Sequence, residues 1–295
     1  MNFVRAPFLL IATFPLAASV VVLAFADAGK TVWLMHLSLI GGACLLAAAG
    51  QFLNHRTHRF TPANGIALLT LIGLAAPLFV NSSGPHRWVR LGPLSLYMAP
   101  LLLPSFYAAC AAFLRQRGKL ETIAFAALIS VSLLLAMQPD ASQVLALLAG
   151  SVVLLWRYCS DLFRPAVTLA IIALAAAWAF TRPDPLEPVP HVEEVFALAL
   201  GHSLLAGLAV IASAFIFVAG LYACSRRGFA WLAAVAAYYA VLFLCSVAGL
   251  TPAPLIGYGA GPLLGFGLLA AASGWIDPEA LPGNSLKPTP IRSAD

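Results

Sequence analysis

The sequence predicts an all-α membrane protein: one polytopic helical bundle with about ten transmembrane spans. Three observations carry that prediction. Only 9% of the 295 residues are charged and 62% are hydrophobic, against roughly 25% charged residues in a soluble domain. With a mean hydropathy of +0.94, most of the surface needs lipid rather than water as its solvent. Apolar runs long enough to cross roughly 30 Å of hydrocarbon recur along the chain. The Lys and Arg residues between them alternate between dense and sparse loops, as membrane topology requires.

The runs fall at 8–26, 32–53, 63–80, 96–114, 120–137, 140–156, 165–181, 194–223, 228–249 and 254–275. The first follows Arg5 and ends in "AFADAG", which resembles a signal-peptide cleavage site after Ala26. An uncleaved first helix gives ten runs with a consistent orientation, and that reading is adopted. The following runs are continuous and rich in Leu and Ala, unlike the short alternating strands of a barrel. The sixth and seventh are short. The eighth is long enough to tilt or to begin outside the membrane. Residues 277–295 are polar with no apolar period. The expected organisation is one transmembrane domain over 1–276 and a disordered cytoplasmic tail over 277–295.

With the N-terminus inside, cytoplasmic segments hold twelve Lys and Arg, and outer segments hold four: Lys30, Arg87, Arg90 and Arg182. Both termini are therefore expected in the cytoplasm. The net charge of +5 is scattered in short clusters, which argues against a nucleic-acid-binding stripe. Cys44, Cys110, Cys159, Cys224 and Cys245 show no CxxC and no metal-ligand spacing. They read as small core residues.

The outer loops gather an unusual polar set. The third-to-fourth loop supplies His86, Arg87, Trp88 and Arg90; the fifth-to-sixth supplies Gln138, Asp140 and Gln143. The seventh-to-eighth, "RPDPLEPVPHVEEVF", supplies Asp184, Glu187, His191, Glu193 and Glu194. The ninth-to-tenth carries Gly257, Gly259 and Gly261. Each has a plain structural explanation. Trp and Arg anchor membrane interfaces, Asp140 and Glu193 suit helix N-termini, and the glycines permit a turn or close helix packing. Together, cations, carboxylates and flexible glycines on one face suit an anionic amphiphile whose head group is handled outside the bilayer.

Four stretches carry a family resemblance. "GPHRWVRLGPLSL", "MQPDASQVLALLAG", "PHVEEVFALAL" and "PAPLIGYGAGPLLGFGLLA" resemble, in order, four outer-loop motifs of the SEDS proteins (shape, elongation, division and sporulation), the FtsW and RodA type. The resemblance implies a peptidoglycan glycosyltransferase that polymerises lipid II at the outer face of the bacterial cytoplasmic membrane, in division or cell-shape maintenance. It also implies a class B penicillin-binding protein as partner. By position, Glu193 takes the place of the family's catalytic Asp, with His191 matching its His. Arg87, Trp88, Arg90, Asp140 and His191 become candidate substrate-binding residues, the arginines as bidentate partners of a diphosphate. Gly257, Gly259 and Gly261 become structural glycines. No cofactor is evident in the residues themselves; the resemblance implies a possible divalent metal, with ligands unknown.

Four departures separate the chain from that pattern. Glu193 is one methylene longer than Asp, and His86 stands where the resemblance expects the second Arg of the usual pair. Tyr97, Met98, Ala99 and Pro100 stand where the family has Gln-Pro-Ser-Glu. The large outer loop is cut to about ten residues between Thr181 and His191. A catalytically weakened SEDS-like protein that binds lipid II or a penicillin-binding protein is therefore the alternative reading. A lipid-linked sugar flippase ranks third, because the middles of the spans hold almost no charge.

The basic asymmetry generates a test of topology. An alkaline phosphatase fusion at the C-terminus is expected to be inactive in cells, and one inserted near Asp184 to be active. A fully active C-terminal fusion would overturn the ten-span orientation.

Overall fold

The computed structural model describes residues 10–54, 62–80, 86–92, 94–116, 118–182, 189 and 191–275. Every apolar run in the sequence carries a helix. In chain order these are α1 (Thr13–Phe25), α2 (Lys30–Asn54), α3 (Pro62–Phe79), α4 (Met98–Gln116), α5 (Lys119–Met137) and α6 (Ala141–Tyr158). There follow α7 (Phe163–Phe180), α8 (Val195–His202), α9 (Leu204–Ser225), α10 (Leu232–Val247) and α11 (Ala260–Trp275). Seven of them (α2 to α7 and α9) are long and apolar enough to cross a membrane. The remaining transmembrane runs give the shorter apolar helices α1, α10 and α11. The tail from residue 277, Asp184 and Glu187 lie outside the described residues.

The ten runs give eleven helices because the eighth run breaks at Ser203. Its backbone is extended (φ −166°, ψ 154°), and its hydroxyl accepts from the Ala206 N–H at 3.1 Å. A serine in this position satisfies one of the free donors at a helix start. α8 then folds back on α9: a Cβ at Gly207 would stand 2.2 Å from Leu200. With 22 residues, α9 alone covers about 33 Å, so α8 is a separate element leading into the span.

A second departure from plain helix is a hairpin before α4. Strands β1 (Trp88–Leu91) and β2 (Leu94–Tyr97) pair antiparallel, with Trp88 opposite Tyr97 and Arg90 opposite Ser95. The turn begins at Gly92, whose φ of +60° suits a residue without Cβ.

α4 is the central helix and is buried along most of its length. α3, α5, α6 and α11 pack around it, and α10 closes the core against α6. Between α4, α6 and α10 lie the fully buried rings of Tyr107, Tyr238 and Tyr239. Leu45, Phe79, Trp156, Leu205 and Phe215 point outward and are exposed, as side chains solvated by lipid are.

α11 owes its place to glycines. A Cβ at Gly265 would lie 2.1 Å from the Pro100 carbonyl, and one at Gly267 would lie 2.6 Å from the Ala43 carbonyl. Only a bare backbone permits such approach between membrane helices. Gly265→Ala is therefore expected to lower the thermal unfolding midpoint in detergent, by about 1–3 kcal/mol of overpacking. Gly41→Ala, which meets nothing within 4 Å, should leave it unchanged or raise it by up to about 1 kcal/mol through helix propensity.

Candidate functional site

The four motif stretches meet at one end of the bundle. The first contact is made by Arg87, which precedes β1. Its Nε donates to the Gln138 carbonyl at 3.1 Å, and a terminal nitrogen donates to the Pro139 carbonyl. These carbonyls belong to the turn that ends α5, where helix acceptors lack intrahelical partners. Gln138 is held in turn by its own side-chain amide, which donates to the Leu74 carbonyl of α3. Arg87 is only 5% exposed.

Asp140 follows at the N-cap position of α6, fully buried. Its carboxyl does not cap that helix. One oxygen accepts from the Tyr97 hydroxyl at 2.7 Å and the other from Ser142 at 3.4 Å. Burial pushes the Asp140 carboxyl above its ordinary pKa, while the charge of Arg87 pulls it back. Burial, and then Asp140, push the Tyr97 phenol well above its ordinary value. Tyr97 therefore stays protonated and donating. Trp88 covers it, with ring centroids 5.2 Å apart.

A second group surrounds Glu193. Residues 191–193 form a tight turn in which the Val192 and Glu193 N–H groups both donate to the Val189 carbonyl at 2.9 Å. The Glu193 carboxylate accepts from the Val189 N–H at 2.9 Å, and Ser246 donates to the Glu193 carbonyl at 3.1 Å. Glu193 and His191 are partly exposed. Burial lowers the pKa of the His191 imidazole below its usual 6.5, so the ring is neutral at pH 7.

The loop 251–258 joins the two groups. The Ala253 N–H donates to the Val192 carbonyl at 3.1 Å, and the Tyr258 N–H donates to the His191 carbonyl at 2.9 Å. A Cβ at Gly257 would lie 2.3 Å from the Val192 carbonyl, and one at Gly261 would lie 2.4 Å from the Tyr97 carbonyl. Tyr258 places its ring 6.1 Å from His191 on one side and 6.1 Å from His36 of α2 on the other.

The structure thus divides the residues singled out in the sequence. Arg87 and Asp140 come together, with Trp88 against them through Tyr97. His191 and Glu193 come together on Gly257. Arg90 stands apart and exposed on β1. Gly259 meets nothing closer than Pro262 at 3.6 Å, unlike its neighbours. Sequence reading passed over Tyr97, Ser246 and Tyr258. For Tyr97 a signal existed: it occupies the stretch where the family pattern is broken.

Arg87 is a buried tie rather than an exposed cation. Arg87→Ala would leave Asp140 and two carbonyls without their positive partner, at a cost of about 3 kcal/mol. Arg90→Ala, at an exposed position, should change stability by no more than about 0.5 kcal/mol. Unfolding midpoints of the two variants in detergent check this; equal midpoints would refute the tie.

No family model matches the chain, and no curated protein matches it by sequence. Solved structures do match it. The rod shape determining protein RodA of Thermus thermophilus superposes with a TM-score of 0.68 at 23% identity, covering 92% of this chain and 97% of that one. A mutant of the same protein gives a TM-score of 0.67 at 22% identity, with the same coverage. A chain from a peptidoglycan synthase complex that polymerises and crosslinks gives 0.69 at 20% identity, over 90% of this chain and 96% of that one. At such identities the likeness is one of fold, and it is plain: the chain is a polytopic helical bundle with the architecture of RodA.

Proposed function

We propose that the chain is a compact SEDS-type peptidoglycan glycosyltransferase. It would polymerise lipid II at the outer face of the bacterial cytoplasmic membrane, with both termini inside, beside a class B penicillin-binding protein. The observation that carries this reading is the convergence of the four motif stretches into one bonded unit, with a partly exposed carboxylate, Glu193, at its edge. The RodA-like fold and the neighbour from a synthase complex support the same reading.

In this mechanism Glu193 is the general base. It takes the proton from a sugar hydroxyl, whose oxygen attacks the anomeric carbon of the second substrate. The bond from that carbon to the diphosphate breaks, and the diphosphate leaves with the electron pair. The main-chain clamp on residues 191–193 fixes the position of the carboxylate, and position governs such a step. The neutral His191 beside it adds no charge to compete with the proton. Arg87 is committed to carbonyls, so the diphosphate would meet Arg90, the exposed cation of the hairpin. Among the described residues no three His, Cys, Asp or Glu side chains converge as a metal site.

The burial of Arg87 and Asp140 in the scaffold also favours a second reading, a SEDS-like protein that binds lipid II or the penicillin-binding protein and regulates another polymerase. One substitution separates the two. Glu193→Gln keeps size and hydrogen bonding but removes the base, so polymerisation by the purified complex should fall by roughly 10²–10⁴-fold with lipid II affinity unchanged. Wild-type rates in that variant would refute the catalytic role. No activity in wild type, Glu193→Gln or Glu193→Asp, with partner binding retained, would establish the binding protein.

A further inference from the structure

We propose that three arginines at the end of the bundle opposite the site hold the phosphate of an anionic phospholipid. α6 starts beside the buried Asp140 and runs 18 residues, about 27 Å, so its last turn, with Arg157, lies at that far end. α10 finishes beside the site, where Ser246 donates to the Glu193 carbonyl, so its start at Leu232 lies at the far end too. The loop from α9 into α10 carries Arg226 and Arg227. Arg157 reaches across to that loop: its guanidinium donates to the Ala230 carbonyl at 3.4 Å. Three exposed arginines from two separate elements are thereby gathered in one place.

Charge and level select the ligand. Among the described residues, no carboxylate comes within ion-pair distance of Arg157, Arg226 or Arg227, whereas Arg164 stands 3.9 Å from Glu121. Asp161, the nearest acid along the chain, turns its carboxylate to the Phe163 N–H at 3.2 Å. Helix ends do not neutralise the cluster either. The C-termini of α6 and α9 and the N-terminus of α10 sum to about half a negative charge, against three guanidinium groups. Such a cluster fits a phosphate, whose oxygens take guanidinium donors in pairs. Its level decides which phosphate. Trp156, 80% exposed, precedes Arg157, and Tyr222, 52% exposed, lies one turn before Arg226. Exposed aromatic rings at the ends of membrane spans mark the lipid head-group layer. A phospholipid of that leaflet brings its phosphate to this level and lays its chains on the two rings; a soluble anion would leave both rings uncovered. The bound phosphate would bridge the far ends of α6 and α10, whose near ends adjoin Asp140 and carry Ser246.

The test uses native mass spectrometry of the full-length protein in detergent and measures the affinity for the first bound dioleoylphosphatidylglycerol or dioleoylphosphatidylcholine. At about fivefold per uncompensated cation, wild type should prefer the anionic lipid on the order of 50-fold. Arg157→Gln, Arg226→Gln and Arg227→Gln should each lower the affinity for phosphatidylglycerol about fivefold. Lys119→Gln removes the same charge from an exposed position at the start of α5 and should change nothing. Glycerophosphoglycerol, the same head group without chains, should not compete. Equal wild-type affinities for the two lipids overturn the proposal, as do arginine variants that bind like wild type. A loss in Lys119→Gln equal to that in the arginine variants would mean a diffuse field in place of a site, and overturns it as well. Competition by the acyl-free head group would assign the cluster to a soluble anion, with the same result. None of these readouts needs glycan synthesis, so an inactive protein tests the lipid site equally well.

Discussion

One buried cation holds the site end of the bundle together. The turn after α5 presents carbonyls that no further helical turn can satisfy, and these carry the partial negative charge of a helix C-terminus. Asp140 adds a carboxyl in the same fully buried place. Left alone, such a concentration of acceptors in a low-dielectric interior would cost several kcal/mol. Arg87 answers carbonyls and carboxyl together, and its guanidinium fork suits the task better than an ammonium would. The consequence is structural: the hairpin cannot swing away without stranding Asp140. Tyr97, at the hairpin's end, is thereby fixed where its hydroxyl reaches Asp140.

The remaining contacts at the site end are made by the main chain. The loop 251–258 grips residues 191–192 through backbone N–H and carbonyl groups, so the grip does not depend on which side chains those residues carry. Val192 can stand where the related motif has Thr, and Glu193 where it has Asp, with the clamp unaltered. The extra methylene moves only the carboxylate. In this chain that longer arm turns back to accept the Val189 N–H, a contact within the segment that replaces the family's large outer loop. The short loop and the long side chain are consistent with each other as a pair.

Much of this was legible in the sequence, and the illegible parts have physical reasons. Apolar runs announce membrane helices because lipid leaves no other partner for a backbone amide, so every expected span holds a helix. Ser203 was hidden because a lone serine in an apolar run more often bonds back to its own helix than ends it, as Ser213 does with the Val210 carbonyl. The hairpin was hidden because two four-residue strands carry too short an alternation to stand out from a loop. The burial of Arg87 was hidden for a deeper reason. An arginine beside a tryptophan at a membrane boundary looks the same in sequence whether it snorkels to water or plugs a helix end; only the position of Gln138 and Pro139, fifty residues on, decides. His191 and Glu193 are singled out only by resemblance, while Tyr97 and Tyr258 carry no motif, because a tyrosine beside an apolar run reads as packing whether or not its hydroxyl has a partner.

The glycines of α11 and its approach loop tie the site end to the rest of the bundle. Gly257, Gly261 and Gly265 recur every fourth residue and bring the chain against Val192, Tyr97 and Pro100 in turn. Gly267, turned to another face, admits the backbone of α2. One segment therefore sets the distance from the turn at 191–193 to the hairpin and from the hairpin to the central helix. A displacement at Leu255 would be felt at Val192 through Pro254, the one residue that separates it from Ala253. The turn at 191–193, the hairpin and the central helix are thus held to one rigid segment, so a shift in any of them is passed to the other two.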